Sequence, residues 1–577
     1  MGPHAPLDPA CGAPSRTLIL LLFLFLLPGG ALSQTSVSTG DKTAAVKKLY
    51  DAGRWGDVVR AVPESAAGPA DLELYRGLAL AQLQRFQEAE KAFRAGLARH
   101  PRETRFLEEM AGIAYREKHN SLAKNDLRRA LAIDPQDEYA NNFLASMYFL
   151  EGNLEAALKY WNRVKKPKLS DLIYDPVPQL DPLILDRAFS FSPGSVWRRD
   201  QFLTTQAKLE SLNLFPNMFY DLQAQPDGPF KLVFHGSERS NWRDMKLQSL
   251  LSGLRSLPYQ AVDPEFFNLN KKGLNWVSFV RWDAQKRMIT SEIATPLAAG
   301  PQQRLRIYFD GRNENWNIAN TLVPVAPAPA GVNVQHAVLG AEVQFLEGWR
   351  WRWNVGTEYS YRDFRTLFGI PQPASPFFTR ASGLALRSGV QRTLVQFPER
   401  RFTLDAGATG EFGKFFTNPL GRYGRMEGSM AANWFPRATG EDYGTQTRLR
   451  AGRTFGQIPF DDLFMLGFDR DNELWMRGHN GLLDGQKGNA PLGRNFVLSN
   501  TDIEKVLYHD AFFVLKVGPF LDTGDIYDPS GFFGSPKWLT DTGVQTTVRT
   551  LGSFEVILGY GKDLRAGTNT FYSTVSR

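Results

Sequence analysis

Cysteine is almost missing from this 577-residue chain and histidine is scarce: there is one Cys, at position 11, and seven His. Cys11 precedes the apolar run Leu18 to Leu27, whereas an acylated lipoprotein cysteine would have to follow such a run. The chain beyond that run has no thiol, which excludes disulfides and cysteine-ligated metals. Scattered histidines predict no metal site, and no cofactor is expected. Also absent are a G-x-S-x-G elbow, a phosphate-binding glycine loop ending in Lys-Ser or Lys-Thr, and an H-E-x-x-H helix. The expectation is therefore a protein that is not an enzyme.

What is present is the composition of folded protein, 43% hydrophobic and 22% charged with 51 Gly and 35 Pro, in a chain too long for one core. The run Leu18 to Leu27 is too short to span a bilayer as a helix. Arg16 before it and the small residues Ala31 and Ser33 after it predict a secretory signal over residues 1–33. The net charge of +7 comes with Arg spread along the chain rather than gathered into a patch, so nucleic acid is not an expected partner.

Between residues 41 and 168 the chain repeats with a period of 34: Ala89, Ala123 and Ala157 align, as do Phe93, Leu127 and Trp161, and Pro101 with Pro135. This resembles the tetratricopeptide (TPR) repeat. Gly77, Ala111 and Ala145 let paired helices approach, and each proline ends a second helix because it cannot donate the next backbone hydrogen bond. Units fall at Ala70 to Glu103, Thr104 to Asp137 and Glu138 to about Lys168, with a degenerate one before them. Stacked pairs make an all-α solenoid whose concave face suits a periplasmic partner protein or an extended peptide.

Prolines 176, 178 and 182 mark a linker over 169–182. Residues 183–238 read as strand, helix, helix, strand, strand, with Leu183 to Phe191 as the first strand, helical spacing from Ser195 to Phe215, and a hairpin through Gln225-Pro226-Asp227-Gly228. The segment resembles a single POTRA domain, a small α/β module whose strand edges can pair with an extended client. Residues 239–272, with Leu247, Leu250, Leu251 and Leu254, read as a helical connector.

From Gly273 to Arg577 apolar and polar residues alternate in segments separated by turns, among them Trp276 to Trp282, Leu305 to Phe309, Val338 to Phe345, Leu384 to Phe397 and Phe402 to Phe412. Aromatics crowd the segment ends, as in Trp349-Arg350-Trp351-Arg352-Trp353. The pattern predicts a transmembrane antiparallel β-barrel of about 16 strands in contact with outer-membrane lipid. In Phe513 to Gly524 the parity puts Leu515, Val517 and Leu521 on one face and Lys516, Phe520, Asp522 and Gly524 on the other, toward the lumen. A buried carboxylate needs a cation, and Arg477 on the preceding long loop suits a bidentate pair with Asp522. The acidic pairs Asp461-Asp462 and Asp469-Arg470-Asp471 are expected to sit in solvent.

Arg477-Gly478 on that loop and Phe520-x-Asp522-x-Gly524 on the strand resemble the motifs of the BamA/TamA-type outer-membrane assembly barrels, the bacterial surface antigen family. His479 stands where that family has Phe or Tyr. The resemblance implies a lumenal Arg477–Asp522 salt bridge pinning the loop, with Gly478, Phe520 and Gly524 as motif residues. It implies a multidomain chain in the bacterial outer membrane, its N-terminal domains in the periplasm, that inserts or translocates unfolded or extended client proteins. Two other readings stay open: an exopolysaccharide export porin, and a passive envelope channel or tether.

Overall fold

The computed structural model describes residues 39–64, 68–226, 228–239, 256–318, 330–369, 377–417, 420–440, 442–510, 513–550 and 554–575. The expected signal segment, the connector leucines and Asp227 of the hairpin turn lie outside the described residues. Contacts divide the chain into units 1–126 and 127–577.

Helices α1 (Thr39–Asp51), α2 (Trp55–Ala61), α3 (Ala70–Gln82), α4 (Phe86–Arg99) and α5 (Thr104–Arg116) occupy the first unit. Small residues set their spacing. A Cβ added at Gly77 would lie 2.1 Å from the Phe93 ring, and one at Gly96 would lie 2.5 Å from Phe106, so both aromatics fill space that only glycine leaves. Leu80, Ala89, Phe93 and Phe106 are fully buried around that contact.

The boundary between units falls inside α6 (Asn120–Ile133). In the second unit α7 (Glu138–Leu150) and α8 (Leu154–Trp161) follow, started by caps: Asp137 accepts from Ala140 N at 2.8 Å and Asn153 from Ala156 N at 3.1 Å. α3 packs against α4, and α7 against α8, as helical pairs.

The α/β module departs from expectation. The predicted linker 169–182 holds a strand, β1 (Leu169–Asp175), and the predicted strand at Leu183 to Phe191 is largely a helix, α9 (Pro182–Ala188). Asp181 caps α9 by accepting from Leu183 N at 2.9 Å, and Pro182 supplies a preset first helical residue. Ile184, Leu185 and Ala188 then share its buried face. After α10 (Arg199–Leu212) come β2 (Met218–Ala224) and β3 (Phe230–Gly236), in a sheet of order β1-β3-β2. β1 pairs parallel to β3, a partner whose distance in sequence hides it from local pattern.

The remaining sheet begins with β4 (Ala261–Val262) and β5 (Glu265–Phe266), both antiparallel to β6 (Asn275–Trp282). It continues through β7 (Lys286–Leu297), β8 (Gly300–Asn317), β9 (Gly331–Glu347), β10 (Trp351–Phe368), β11 (Ala381–Phe397), β12 (Phe402–Phe415), β13 (Arg422–Trp434) and β14 (Tyr443–Gly456). A long loop carries the short β15 (Phe464–Met465), β16 (Leu482–Leu483), β17 (Gln486–Lys487) and β18 (Leu492–Gly493). The wall resumes with β19 (Asn495–His509), β20 (Phe513–Tyr527), β21 (Leu539–Thr550), β22 (Phe554–Asp563) and β23 (Asn569–Val575).

Neighbours pair antiparallel in chain order, with β14 joined to β19 across the loop, and the order returns to its start with β23 beside β4. Among the described residues this makes nine strands from β6 to β14 and five from β19 to β23, plus the two-piece first strand. β8 and β10 run 18 residues, longer than the alternating segments visible in the sequence.

The two ends of this barrel differ. Short turns such as Ala298-Ala299 and the 3-10 turn Pro398–Arg400 mark one end, and the long 457–494 loop leaves the other. Elements of residues 153–211 touch the short-turn end: Asn153 donates to Pro398 O at 2.8 Å, Tyr160 Oη to Glu399 Oε1 at 2.9 Å, Arg187 to Ala298 O at 2.7 Å and Ser211 to Pro301 O at 3.0 Å.

Gly77→Val is expected to lower the thermal midpoint of the helical signal, read by circular dichroism, by forcing Phe93 out of its slot at a cost of about 1–3 kcal/mol. An unchanged midpoint would contradict this account of how α3 and α4 pack.

Candidate functional site

The 457–494 loop turns back across the sheet and contacts strands on both sides of the barrel, so it occupies the interior. Its base packs in an apolar cluster that includes Ile458, Phe460, Leu463, Trp316, Val332, Phe377 and Phe415. Phe464, Leu466, Leu474 and Met476 pack with Phe496, Leu498, Ile526 and Leu539 of the wall beyond. Asn472 ties the loop to itself, its side-chain amide donating to Met465 O at 3.0 Å and Gly467 O at 2.7 Å. These contacts fix the backbone from which the charged side chains project.

On one side stand Arg477 and Asp522. Arg477 Nε donates to Asp522 Oδ2 at 2.9 Å, its terminal amine to Oδ1 at 2.6 Å and its backbone N to Oδ2 at 3.0 Å, while Asn500 donates to Oδ1 at 2.7 Å. The fork geometry matches a planar guanidinium to a planar carboxylate. Asp522 is 0% exposed and Arg477 3%. Arg477 also donates to Asp502, and to Gln545 Oε1 at 3.2 Å, and its guanidinium lies 3.8 Å from the Phe520 ring centroid. Every charge in the group thus meets an opposite charge or a donor.

Glycine lets the loop come this close. A Cβ on Gly561 would sit 2.2 Å from Arg477 O, and one on Gly478 would sit 2.6 Å from Asp541 Cγ. Gly478 N donates to Asp541 Oδ2 at 2.6 Å, and Thr570 Oγ1 to Gly478 O at 2.9 Å, so β21 and β23 both hold the backbone next to Arg477. His479 then places Nδ1 3.0 Å from Asp541 and Nε2 3.4 Å from Asp563. Gly524 lies under the loop, where an added Cβ would approach Leu466 at 3.1 Å.

The opposite wall carries a second set of anchors. Lys286 Nζ lies 2.7 Å from Asp469 and 2.8 Å from Asp471, Arg281 lies 3.0 Å from Asp471, Lys487 lies 2.8 Å from Glu314, and Arg362 pairs with Asp462. This corrects the expectation of solvated acidic pairs. Asp469 is 1% exposed and Lys286 1%, because strands nearly 200 residues upstream bring buried cations to carboxylates that look solitary in sequence.

Along the strands the faces alternate. Ile289, Leu339, Leu384, Leu386, Leu521 and Leu558 point outward and exposed, while Lys286, Glu342, Glu358, Arg362 and Asp522 point inward and buried. A soluble sheet packing does the reverse.

No protein-family model matches the chain, and no curated protein matches it. Among solved structures, it is similar to BamA and CdiB. BamA from Haemophilus ducreyi lacking POTRA domains 1-3 aligns at 9% identity over 71% of this chain and 84% of that one, with a TM-score of 0.40. CdiB from Escherichia coli aligns at 11% over 71% and 75%, TM-score 0.45, and CdiB from Acinetobacter baumannii at 11% over 79% and 86%, TM-score 0.42.

Of the residues singled out in the sequence, Arg477, Gly478, Phe520, Asp522 and Gly524 all meet at this junction. Sequence reading missed Asp502, Asn500, Gln545, Asp541, Asp563 and Thr570. Strand parity would have turned the first three inward beside Asp522, but no local signal reports which loop residue they face.

Arg477→Ala and Asp522→Ala are each expected to lower barrel stability by about 3–5 kcal/mol, the usual cost of leaving one member of a buried pair alone. The double variant should be little worse than either. Measured by denaturant unfolding of the refolded protein, strictly additive losses would remove the pairing.

Proposed function

We propose that this chain is an outer-membrane barrel of the BamA/TamA type, of about 16 strands, that takes part in inserting or translocating proteins and is not an enzyme. The observation that carries the reading is the loop filling the barrel interior, pinned through Arg477 and Asp522 beneath Phe520, inside a wall whose outward face is apolar. A band of exposed Ile, Leu and aromatic side chains around polar, ion-paired contents suits lipid outside and a regulated passage inside.

In this reading residues 41–168 are a TPR solenoid that holds a periplasmic partner. The module from β1 to β3 is POTRA-like and meets extended clients at its strand edges. Supporting that placement, residues 153–211 touch the short-turn end of the barrel, the end that faces the periplasm in bacterial outer-membrane barrels. No nucleotide is needed, since client folding and burial of apolar surface supply the drive. The passage opens either when the 457–494 loop withdraws or when β23 and the first strand part to template a client strand. An exopolysaccharide porin or passive channel would instead hold its lumen open, and the loop fills it.

Photo-crosslinkers placed on β2 and on β23 in living cells should capture extended or partly folded outer-membrane or secreted proteins. Reconstituted in planar bilayers, the protein should give small flickering currents that become larger and steadier in Arg477→Ala. A large steady sugar-permeable conductance in the unsubstituted protein, with no client captured, would defeat the proposal in favour of the porin.

A further inference from the structure

The triad beside the Arg477 pin has a composition that the pin does not use. We propose that His479, Asp541 and Asp563 form a divalent-cation site of the zinc or manganese class, which fastens the loop tip to β21 and β22.

The three side chains come from three separate segments, and each offers a donor atom within 4.8 Å of the other two. The closest approaches are 3.0 Å from His479 Nδ1 to Asp541 and 3.4 Å from Nε2 to Asp563. A tetrahedral ion with bonds of 2.0–2.2 Å separates its ligand atoms by about 3.3–3.6 Å, so from donor atoms within 4.8 Å of one another, side-chain rotations that turn one imidazole nitrogen toward both carboxylates bring all three onto a single ion. The backbone does not have to move. Gly478 is already held by Asp541 and Thr570, and this fixes where the next residue projects.

Asp541 supplies an independent observation. It is 0% exposed: Oδ2 accepts from Gly478 N and from the imidazole, and Oδ1, although also 3.0 Å from the same Nδ1, is left without a hydrogen bond of its own. A buried carboxylate oxygen with unused lone pairs is costly unless something positive reaches it. Charge points the same way. A protonated imidazole between two carboxylates leaves a net charge of −1, whereas a divalent ion with a neutral imidazole brings the group to zero.

Room exists for the rest of the coordination sphere. His479 and Asp563 border a cavity of about 700 Å³ lined also by Asn480, Ser535, Arg565 and Thr570, wide enough for water ligands. The Arg565 guanidinium lies 3.2 Å from both Ser535 Oγ and Lys537 O, so its donors have partners other than the carboxylates. One nitrogen and two carboxylate donors favour zinc or manganese over calcium and magnesium, which prefer oxygen alone.

The scarcity of histidine predicts no metal site, but that expectation weighs histidines against each other in sequence. Here a single one meets two aspartates from later strands. The inference does not depend on the proposed role in protein assembly, and its test does not use transport.

The full-length protein, purified in detergent and stripped with a chelator, is titrated with Zn²⁺ against a chromophoric zinc indicator and by calorimetry. The expected result is one equivalent bound at micromolar affinity or tighter, a raised unfolding midpoint, and an X-ray absorption shell of nitrogen and oxygen at about 2.0–2.2 Å. His479→Phe, which keeps an aromatic ring at the loop tip, and Asp563→Asn should each weaken binding at least tenfold. Because Asp541→Asn also disturbs the Gly478 contact, it is read only alongside the other two. No saturable binding, or zinc bound equally well by His479→Phe, would overturn the site and leave a proton-bridged ionic triad.

Discussion

A carboxylate with no exposure to water must be surrounded by donors, and Asp522 meets that demand only when the 457–494 loop lies inside the barrel. Three of its four hydrogen bonds come from Arg477 and one from Asn500. Wall and loop are therefore mutually dependent. Without the loop the inward-facing Asp502, Asp522, Asp541 and Asp563 lose Arg477 and His479, which pair with them, and without those carboxylates the guanidinium has no reason to be buried.

The same logic extends across the lumen. Arg281, Lys286 and Arg362 on strands β6, β7 and β10 meet aspartates of the loop, Glu314 on β8 meets its Lys487, and Asp522 on β20 meets its Arg477, so one segment is fastened by ion pairs to both walls. Any movement of the loop out of the interior has to break several buried ion pairs together, which gives its seated position a defined geometry. Glycines 478 and 561 permit the closest approach, since any side chain there would hold the backbones apart.

Much of this was legible from local pattern. Period-34 spacing of small residues marks helices α3 to α8, and period-2 alternation marks most barrel strands, often to within a few residues, because both periodicities are set by neighbours in sequence. Parity alone turned Asp522 inward, and the requirement that it have a cation singled out Arg477. The failures share a cause. β1 pairs in parallel with a strand about 60 residues later, so its run looks like a linker in sequence; α9 looks like a strand because three apolar residues in a row serve a strand or a helix equally until the cap at Asp181 is recognised. Asp469 and Asp471 look solvated in sequence because their partner Lys286 lies far upstream.

By itself the amino-acid order determined which segments coil, which extend, which face of each strand is polar, and that one loop arginine had to answer one strand carboxylate. Only the tertiary structure decided which charges meet across the interior and that His479 falls between two aspartates. Local periodicity is a property of a few consecutive residues, whereas the return of the sheet on itself brings together groups separated by hundreds, and their pairing energies exist only once the wall has curved around the loop.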